Sequence, residues 1–122
     1  MKIIATGITG LVGSRISELN PDLSFADISI ESGISILDPV ALEKVFTNNP
    51  DAVTVLHLAA FTDVNGAWSQ NKDQNGLCFQ LNVTGTQNIV NLCKKYGKYL
   101  IHISTDYVFD GTKEGKYLET DT

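Results

Sequence analysis

Three glycines standing three apart, Gly7, Gly10 and Gly13, follow the apolar run Ile3-Ile4-Ala5, with only Ile8-Thr9 and Leu11-Val12 between them. A backbone with so few side chains folds tightly and lets a bound group come close. The group it suits is a phosphate, because the first amides of a following helix point at it and the helix dipole favours negative charge. The spacing is G-x-x-G-x-x-G rather than the G-x-G-x-x-G of the usual dinucleotide fingerprint, and a strand-to-helix turn that merely needs flexible residues would look the same. A carboxylate bears on the choice. Asp27 stands twenty residues after Gly7, at the end of Leu23-Ser24-Phe25-Ala26-Asp27, which alternates like a strand. In a dinucleotide-binding unit an acid at that remove, at the tip of the second strand, accepts hydrogen bonds from a ribose and repels a 2'-phosphate. An aspartate that only closes a turn is the competing reading.

Ala52-Val53-Thr54-Val55-Leu56-His57-Leu58 is the strongest strand signal in the chain, and it runs into Ala59-Ala60-Phe61-Thr62-Asp63. Small residues at the carboxyl end of a strand let a ligand lie against the backbone. His57 has the chemistry of an acid or base, but a lone imidazole inside a buried strand is in most cases a hydrogen-bonded structural residue. His102, inside the run Tyr99-Leu100-Ile101-His102-Ile103-Ser104-Thr105, is read the same way.

The elements that must position these residues follow from periodicity. Lys2 to Ala5 reads as a central parallel strand buried on both faces. A helix from Leu11 to Leu19 would turn Leu11, Val12, Ile16 and Leu19 inward, and Asn20-Pro21 ends it. Residues 28–37 form a loop with Gly33 and a short extended piece at Ile34-Ser35-Ile36. Asp38 as N-cap and Pro39 at the first helical position start a second helix, stopped by Asn48-Asn49-Pro50. After the polar stretch Asn65 to Gln74, a long helix from Gly76 to Tyr96 carries the stripe Leu77, Leu81, Gly85, Ile89, Leu92, Cys93 and Tyr96. Gly85 in its middle costs about 1 kcal/mol relative to alanine, so close packing against the sheet is the expected compensation. Asn82 interrupts the stripe with a polar group. Lys94, Lys95 and Gly97 suit the helix end, and Tyr99 to Thr105 is the fourth strand. The order β-α-β-α-β-α-β with right-handed crossovers predicts an α/β fold: a three-layer, doubly wound parallel sheet of Rossmann type with strand order 3-2-1-4.

The chain of 122 residues is one domain by length. It carries 14 acidic against 9 basic residues, a net charge of -5, and Arg15 is the only arginine. No clustered positive charge is present for a nucleic acid or an anionic membrane. Cys78 and Cys93 lie fifteen apart on one expected helix, too far to pair and without metal-ligand spacing. No metal site is therefore expected, and the thiols suit a reducing compartment. The apolar residues before Gly7 are too few for a signal peptide, and no run reaches membrane-spanning length. A cytoplasmic protein is the expectation.

The segment Ser104-Thr105-Asp106-Tyr107-Val108-Phe109-Asp110-Gly111 turns the reading from fold to family. Together with Thr6-Gly7-x-x-Gly10-x-x-Gly13, His57-Leu58-Ala59-Ala60-Phe61-Thr62-Asp63-Val64, Leu81-Asn82-Val83-Thr84-Gly85-Thr86-x-Asn88 and Tyr117-x-Glu119-x-Asp121, it resembles the extended short-chain dehydrogenase/reductase superfamily, and within it the dTDP-4-dehydrorhamnose reductases. The resemblance covers essentially the whole chain. It implies a cofactor, NAD or NADP, whose pyrophosphate is held by Gly7, Thr9, Gly10, Leu11, Val12 and Gly13, and whose adenosine ribose meets Asp27. Ile36 and nearby backbone would meet the adenine, where these reductases commonly show Asp-Ile-Thr-Asp and this chain has Ser35-Ile36-Leu37-Asp38. Ala59, Ala60 and Thr62 would line the middle of the cofactor, and Asn82 would brace that loop. Thr105 matches the Ser/Thr that hydrogen-bonds the carbonyl of a sugar-nucleotide substrate, with Asp106 beside it at the sugar.

In the superfamily a Tyr with a Lys four residues later supplies the proton, the Lys lowering the tyrosine's pKa. Four positions after Tyr96, Tyr99, Tyr107 and Tyr117 stand Leu100, Ile103, Gly111 and Asp121, so the pair is absent. The resemblance thus implies that residues 1–122 are the NAD(P)-binding, amino-terminal part of a longer NAD(P)-dependent reductase of a 4-keto sugar nucleotide, ending before the substrate lobe. Two other readings remain. The Leu81 to Asn88 segment resembles sugar-nucleotide epimerases and dehydratases, and the regulatory subunits of methionine adenosyltransferase resemble these reductases while binding NADP without turnover. Dimers in the superfamily form through long helices, so a homodimer is a further expectation.

Overall fold

The computed structural model describes residues 1–121. The elements are β1 (Lys2–Thr6), α1 (Leu11–Leu19), β2 (Ser24–Ile28), α2 (Pro39–Asn48), β3 (Thr54–His57), α3 (Val64–Ser69), α4 (Leu77–Phe79), a π-helical segment (Gln80–Gly85), α5 (Thr86–Tyr96), β4 (Tyr99–His102) and a 3-10 turn (Asp106–Val108). All strand pairs are parallel, in the order β2-β1-β3-β4. The doubly wound parallel sheet is as expected, but by chain position its order is 2-1-3-4: β3 pairs with β1 on the side away from β2, where 3-2-1-4 had set it beyond β2, and β4 pairs with β3. The direction of winding reverses between β1 and β3. Their carboxyl ends therefore frame the crevice in which doubly wound sheets take ligands.

Two apolar cores make the three layers. Ile4, Ile28, Ile36, Leu42, Phe46, Val55, Ile89, Leu92 and Cys93 fill the space between the sheet and the α2/α5 pair, while Ile3, Ala5, Ile8 and Leu56 lie on the other face with Ile16 of α1. β1 contributes to both, as a run apolar at every position requires. The start of α2 matches its sequence signal: Asp38 Oδ1 accepts from the amides of Val40 and Ala41, both at 3.0 Å, and Pro39 occupies the first turn. α5 ends on Gly97 at φ +62°. The burial of Cys93 pushes its thiol up to about 11, as befits a packing residue.

The structure corrects the inner face of α1. Leu11 is 90% exposed, and Val12 and Leu19 are exposed as well. The helix instead rests on Gly13, where any Cβ would overlap the backbone of Ile8, and on Ile16. That close approach rotates Leu11 and Val12 outward at the helix start. Two further departures lie in the loops. Val64–Ser69, read as part of a connecting stretch, is a short helix capped by Asp63, whose Oδ1 accepts from Gly66 N at 3.0 Å. The expected long helix is one continuous run from Leu77 to Tyr96, but its middle, Gln80–Gly85, is π-helical. There a Cβ on Gly85 would lie 2.5 Å from Ile36 Cδ1, so the glycine packs on the 34–37 loop rather than on the sheet. β4 is shorter than expected, and Tyr99, Ile101 and Ile103 remain exposed. No helix among the described residues is long and apolar enough to cross a membrane.

Candidate functional site

Because all four strands run the same way, the loops that follow them gather along one edge of the sheet. The glycine turn follows β1, the 29–33 loop follows β2, Leu58 to Thr62 follow β3, and Ser104 to Asp106 follow β4. The residues singled out in the sequence therefore lie on that edge, with Asn82 reaching it from the π-helical segment.

At its centre the β1 and β3 ends touch. Gly7 adopts φ +66°, and a Cβ there would stand 2.9 Å from Ala59 N and 3.0 Å from Ala59 Cα. Only glycine satisfies both the left-handed backbone and the contact. Gly10 N donates to Gly7 O at 3.1 Å, closing the turn. Gly10 is the N-cap of α1, and no side chain caps the helix. The opening amides of α1 thus have no side-chain acceptor, the kind of helix start that suits an anion.

A polar hub lies behind this contact. Thr6 Oγ1 accepts from Leu58 N at 3.2 Å and Ala59 N at 3.0 Å, which uses its two acceptor sites. Its own proton must then go to His57 Nδ1, 2.6 Å away. His57 consequently carries its proton on Nε2 and donates it to Thr86 Oγ1 at 3.0 Å. His57 is 1% exposed and its ring stacks on His102 with centroids 5.1 Å apart. Burial first, and the neighbouring His102 second, lower its pKa from 6.5 to about 4. Both nitrogens are engaged and the ring is neutral, so His57 is structural: it fixes where β3 hands over to Ala59. Asn82 completes the support. Its Oδ1 accepts from Phe61 N at 2.7 Å and its Nδ2 donates to Phe61 O at 3.3 Å, a reciprocal clamp on the loop that holds Ala60 and Thr62. The π-helical segment beneath Asn82 is a geometry that recurs at functional sites.

At the end of β2, Asp27 Oδ2 accepts from Ser29 Oγ at 2.6 Å. Asp27 Oδ1 is buried and has no hydrogen-bond donor among the described residues. A buried carboxyl oxygen without a partner is costly, and a ribose hydroxyl is the kind of group that satisfies it. Glu31, which the sequence did not single out, accepts from Thr9 Oγ1 at 3.2 Å. At the β4 end, Thr105 Oγ1 accepts from Tyr107 N at 3.2 Å, and both Thr105 and Asp106 are exposed. One expected contact is not presented. Ile36 is buried under Gly85 and its carbonyl accepts from Asn88 Nδ2 at 3.0 Å, so its side chain supports the loop instead of facing solvent.

Residues 1–122 match the family described as RmlD substrate binding domain over their whole length. The chain belongs to that family. It is 33% identical over 111 residues to a dTDP-4-dehydrorhamnose reductase of Mycobacterium tuberculosis strain CDC 1551, an alignment covering 90% of this chain and 34% of the relative. To the dTDP-4-dehydrorhamnose reductase of Aggregatibacter actinomycetemcomitans it is 30% identical over 122 residues, 98% of this chain and 40% of that one. A crystal structure of a dTDP-4-dehydrorhamnose reductase from Clostridium acetobutylicum superposes with a TM-score of 0.82 at 27% identity, covering 100% of this chain and 42% of the other. The enzyme of the same name from Bacillus anthracis, solved in complex with NADP, superposes at 0.76 with 24% identity over 92% of this chain and 39% of its own, a likeness of fold. The chain thus spans 34% to 42% of the length of these relatives.

Proposed function

We propose that this chain binds a nicotinamide dinucleotide along the loop edge and serves a protein that reduces a 4-keto sugar nucleotide. The observation that carries the reading is the uncapped start of α1 beside Gly7, pressed against Ala59 in a left-handed conformation that only glycine takes without strain. Gly7, Thr9, Gly10, Leu11, Val12 and Gly13 would hold the pyrophosphate, with Leu11 and Val12 outward-facing at the helix start. Asp27 would take the ribose through its unpartnered oxygen. Ala59, Ala60 and Thr62 would line the middle of the cofactor, on the loop that Asn82 clamps. When bound, the nicotinamide supplies hydride. Thr105, exposed at the end of β4, would hydrogen-bond the sugar carbonyl, with Asp106 at the sugar. Family membership and the reductase names of the relatives support this assignment.

No tyrosine of these residues has a lysine four positions on. The part assigned to this chain is therefore binding and positioning. Titration of the chain with NADH and NADPH, read by cofactor fluorescence and by thermal unfolding, tests the reading. A ligand at a hundred times its dissociation constant adds about 2.7 kcal/mol of stability, so saturation should raise the melting temperature by several degrees. Absence of both the fluorescence change and the thermal shift at millimolar cofactor would overturn it.

A further inference from the structure

Asn82 and Asn88 lie in one continuous helical run, Leu77 to Tyr96. Asparagine is a poor residue for a helix interior, where its side chain competes with the backbone for hydrogen bonds. Here each side-chain amide is spent on a loop instead. Asn82 clamps Phe61 in the loop after β3, while the half-buried Asn88 donates from Nδ2 to the carbonyl of Ile36 at 3.0 Å, 52 residues away along the chain. Between the two asparagines, Gly85 lets the Ile36 side chain approach to where a Cβ would stand 2.5 Å from its Cδ1. The helix thus grips the 34–37 loop both by a hydrogen bond and by close packing.

That loop leads back to the end of β2. Ile34 N donates to Ser29 O at 2.9 Å. The Ser29 hydroxyl accepts from Ser32 N at 3.1 Å and donates to Asp27 Oδ2 at 2.6 Å. Ser29 is itself buried, so its hydroxyl has a fixed place rather than a choice of solvent partners. A series of contacts therefore runs from Asn88 through Ile36, Ile34 and Ser29 to Asp27, whose other oxygen is buried without a donor among the described residues. None of these contacts passes through Phe61. Ile36, which does not face a ligand itself, serves the adenosine end from behind.

We propose that Asn88 is a positioning residue for the adenosine half of the dinucleotide, acting through the 34–37 loop on Asp27, while Asn82 acts on the nicotinamide half alone; this rests on the binding reading above. The test separates the halves by titrating NADH and ADP against the parent chain and the variants Asn88→Ala, Asn88→Asp and Asn82→Ala, with urea unfolding of each. Asn88→Asp keeps the shape of the side chain but, ionised, has no proton to donate. Loss of one hydrogen bond that holds a binding group is worth about fivefold in affinity, so both Asn88 variants should weaken ADP and NADH by about that factor. Asn82→Ala should weaken NADH and spare ADP. A residue that only stabilises the fold would lower the urea midpoint without sorting the two ligands. The parent chain gives a second reading that needs no variant: ADP should slow amide exchange at Ile34 and leave Phe61 as it was, whereas NADH should slow both. Unchanged ADP affinity in the Asn88 variants, equal loss of ADP binding in Asn82→Ala, ADP protection at Phe61 as strong as at Ile34, or a parent chain that binds NADH but not ADP would each overturn the inference while leaving dinucleotide binding standing. Binding of neither ligand would overturn the binding reading and this inference together.

Discussion

Acidification should loosen the β3 end through a single residue. His57 is neutral because burial, and after it the neighbouring His102, hold its pKa down, and the Thr6 hydroxyl donates to its Nδ1. Protonating Nδ1 would set two donors against each other 2.6 Å apart, in a site 1% open to solvent. Its pKa lies at about 4 in the fold against 6.5 for the free side chain. As a folded value lowered for a base, this costs nothing above pH 6.5, where both states are neutral. As the pH falls the unfolded chain takes up the proton first, and stability drops by about 1.4 kcal/mol per unit until the folded value is reached. The whole loss is about 3 kcal/mol, a large share of the 5–15 kcal/mol typical of a domain. About 2 kcal/mol of it falls between pH 6.5 and 5. The carboxylates with lowered values, Glu31, Glu43, Asp110 and Asp121, titrate below that interval when unfolded, from 4.5 and 3.8, so the window isolates the histidine. Urea unfolding of the parent chain and of His57→Gln at pH 7, 6 and 5, beside an NMR titration of the imidazole protons, measures the effect. The variant should start less stable at pH 7, because Thr6 and Thr86 lose their partner, and should change far less with pH. Parallel curves for parent and variant, or a His57 midpoint at pH 6 or above, would refute the reasoning.

Two substitutions test the rest of the edge. Gly7→Ala places a Cβ 2.9 Å from Ala59 N on a backbone at φ +66°; the left-handed conformation alone costs about 1–2 kcal/mol, so both the urea midpoint and NADH affinity should fall, and an unchanged affinity would argue against the turn as the phosphate cradle. Asn82→Ala removes both hydrogen bonds to Phe61, each worth about 1 kcal/mol; faster amide exchange at Phe61 and weaker NADH binding are expected, and intact binding would show that the 59–62 loop holds its shape without the clamp.

The match between sequence and structure follows the range of the forces involved. α1 runs from Leu11 to Leu19 and α2 begins at Pro39 as expected, because caps, proline and glycine act within a turn of the chain. The parallel sheet was legible from apolar runs spaced by helices, and the glycine turn with Asp27 marked the ligand edge. Thr6 gave a weaker signal, a hydroxyl closing an apolar strand, whose partners lie 51 and more residues away.

The residues alone determined the strand-turn-helix at Thr6 to Gly13, the absence of a Tyr and Lys four apart, and the family. Tertiary structure decided which face of α1 turns inward, that Ile36 is spent on Gly85, that His57 is a neutral strut, and that Glu31 stands beside Thr9. The reason is physical: helix and strand periods are set by neighbours along the chain, whereas the orientation of a face and the partner of a polar atom depend on strand register and on how closely two elements approach, and those distances exist only once the sheet has closed on its helices.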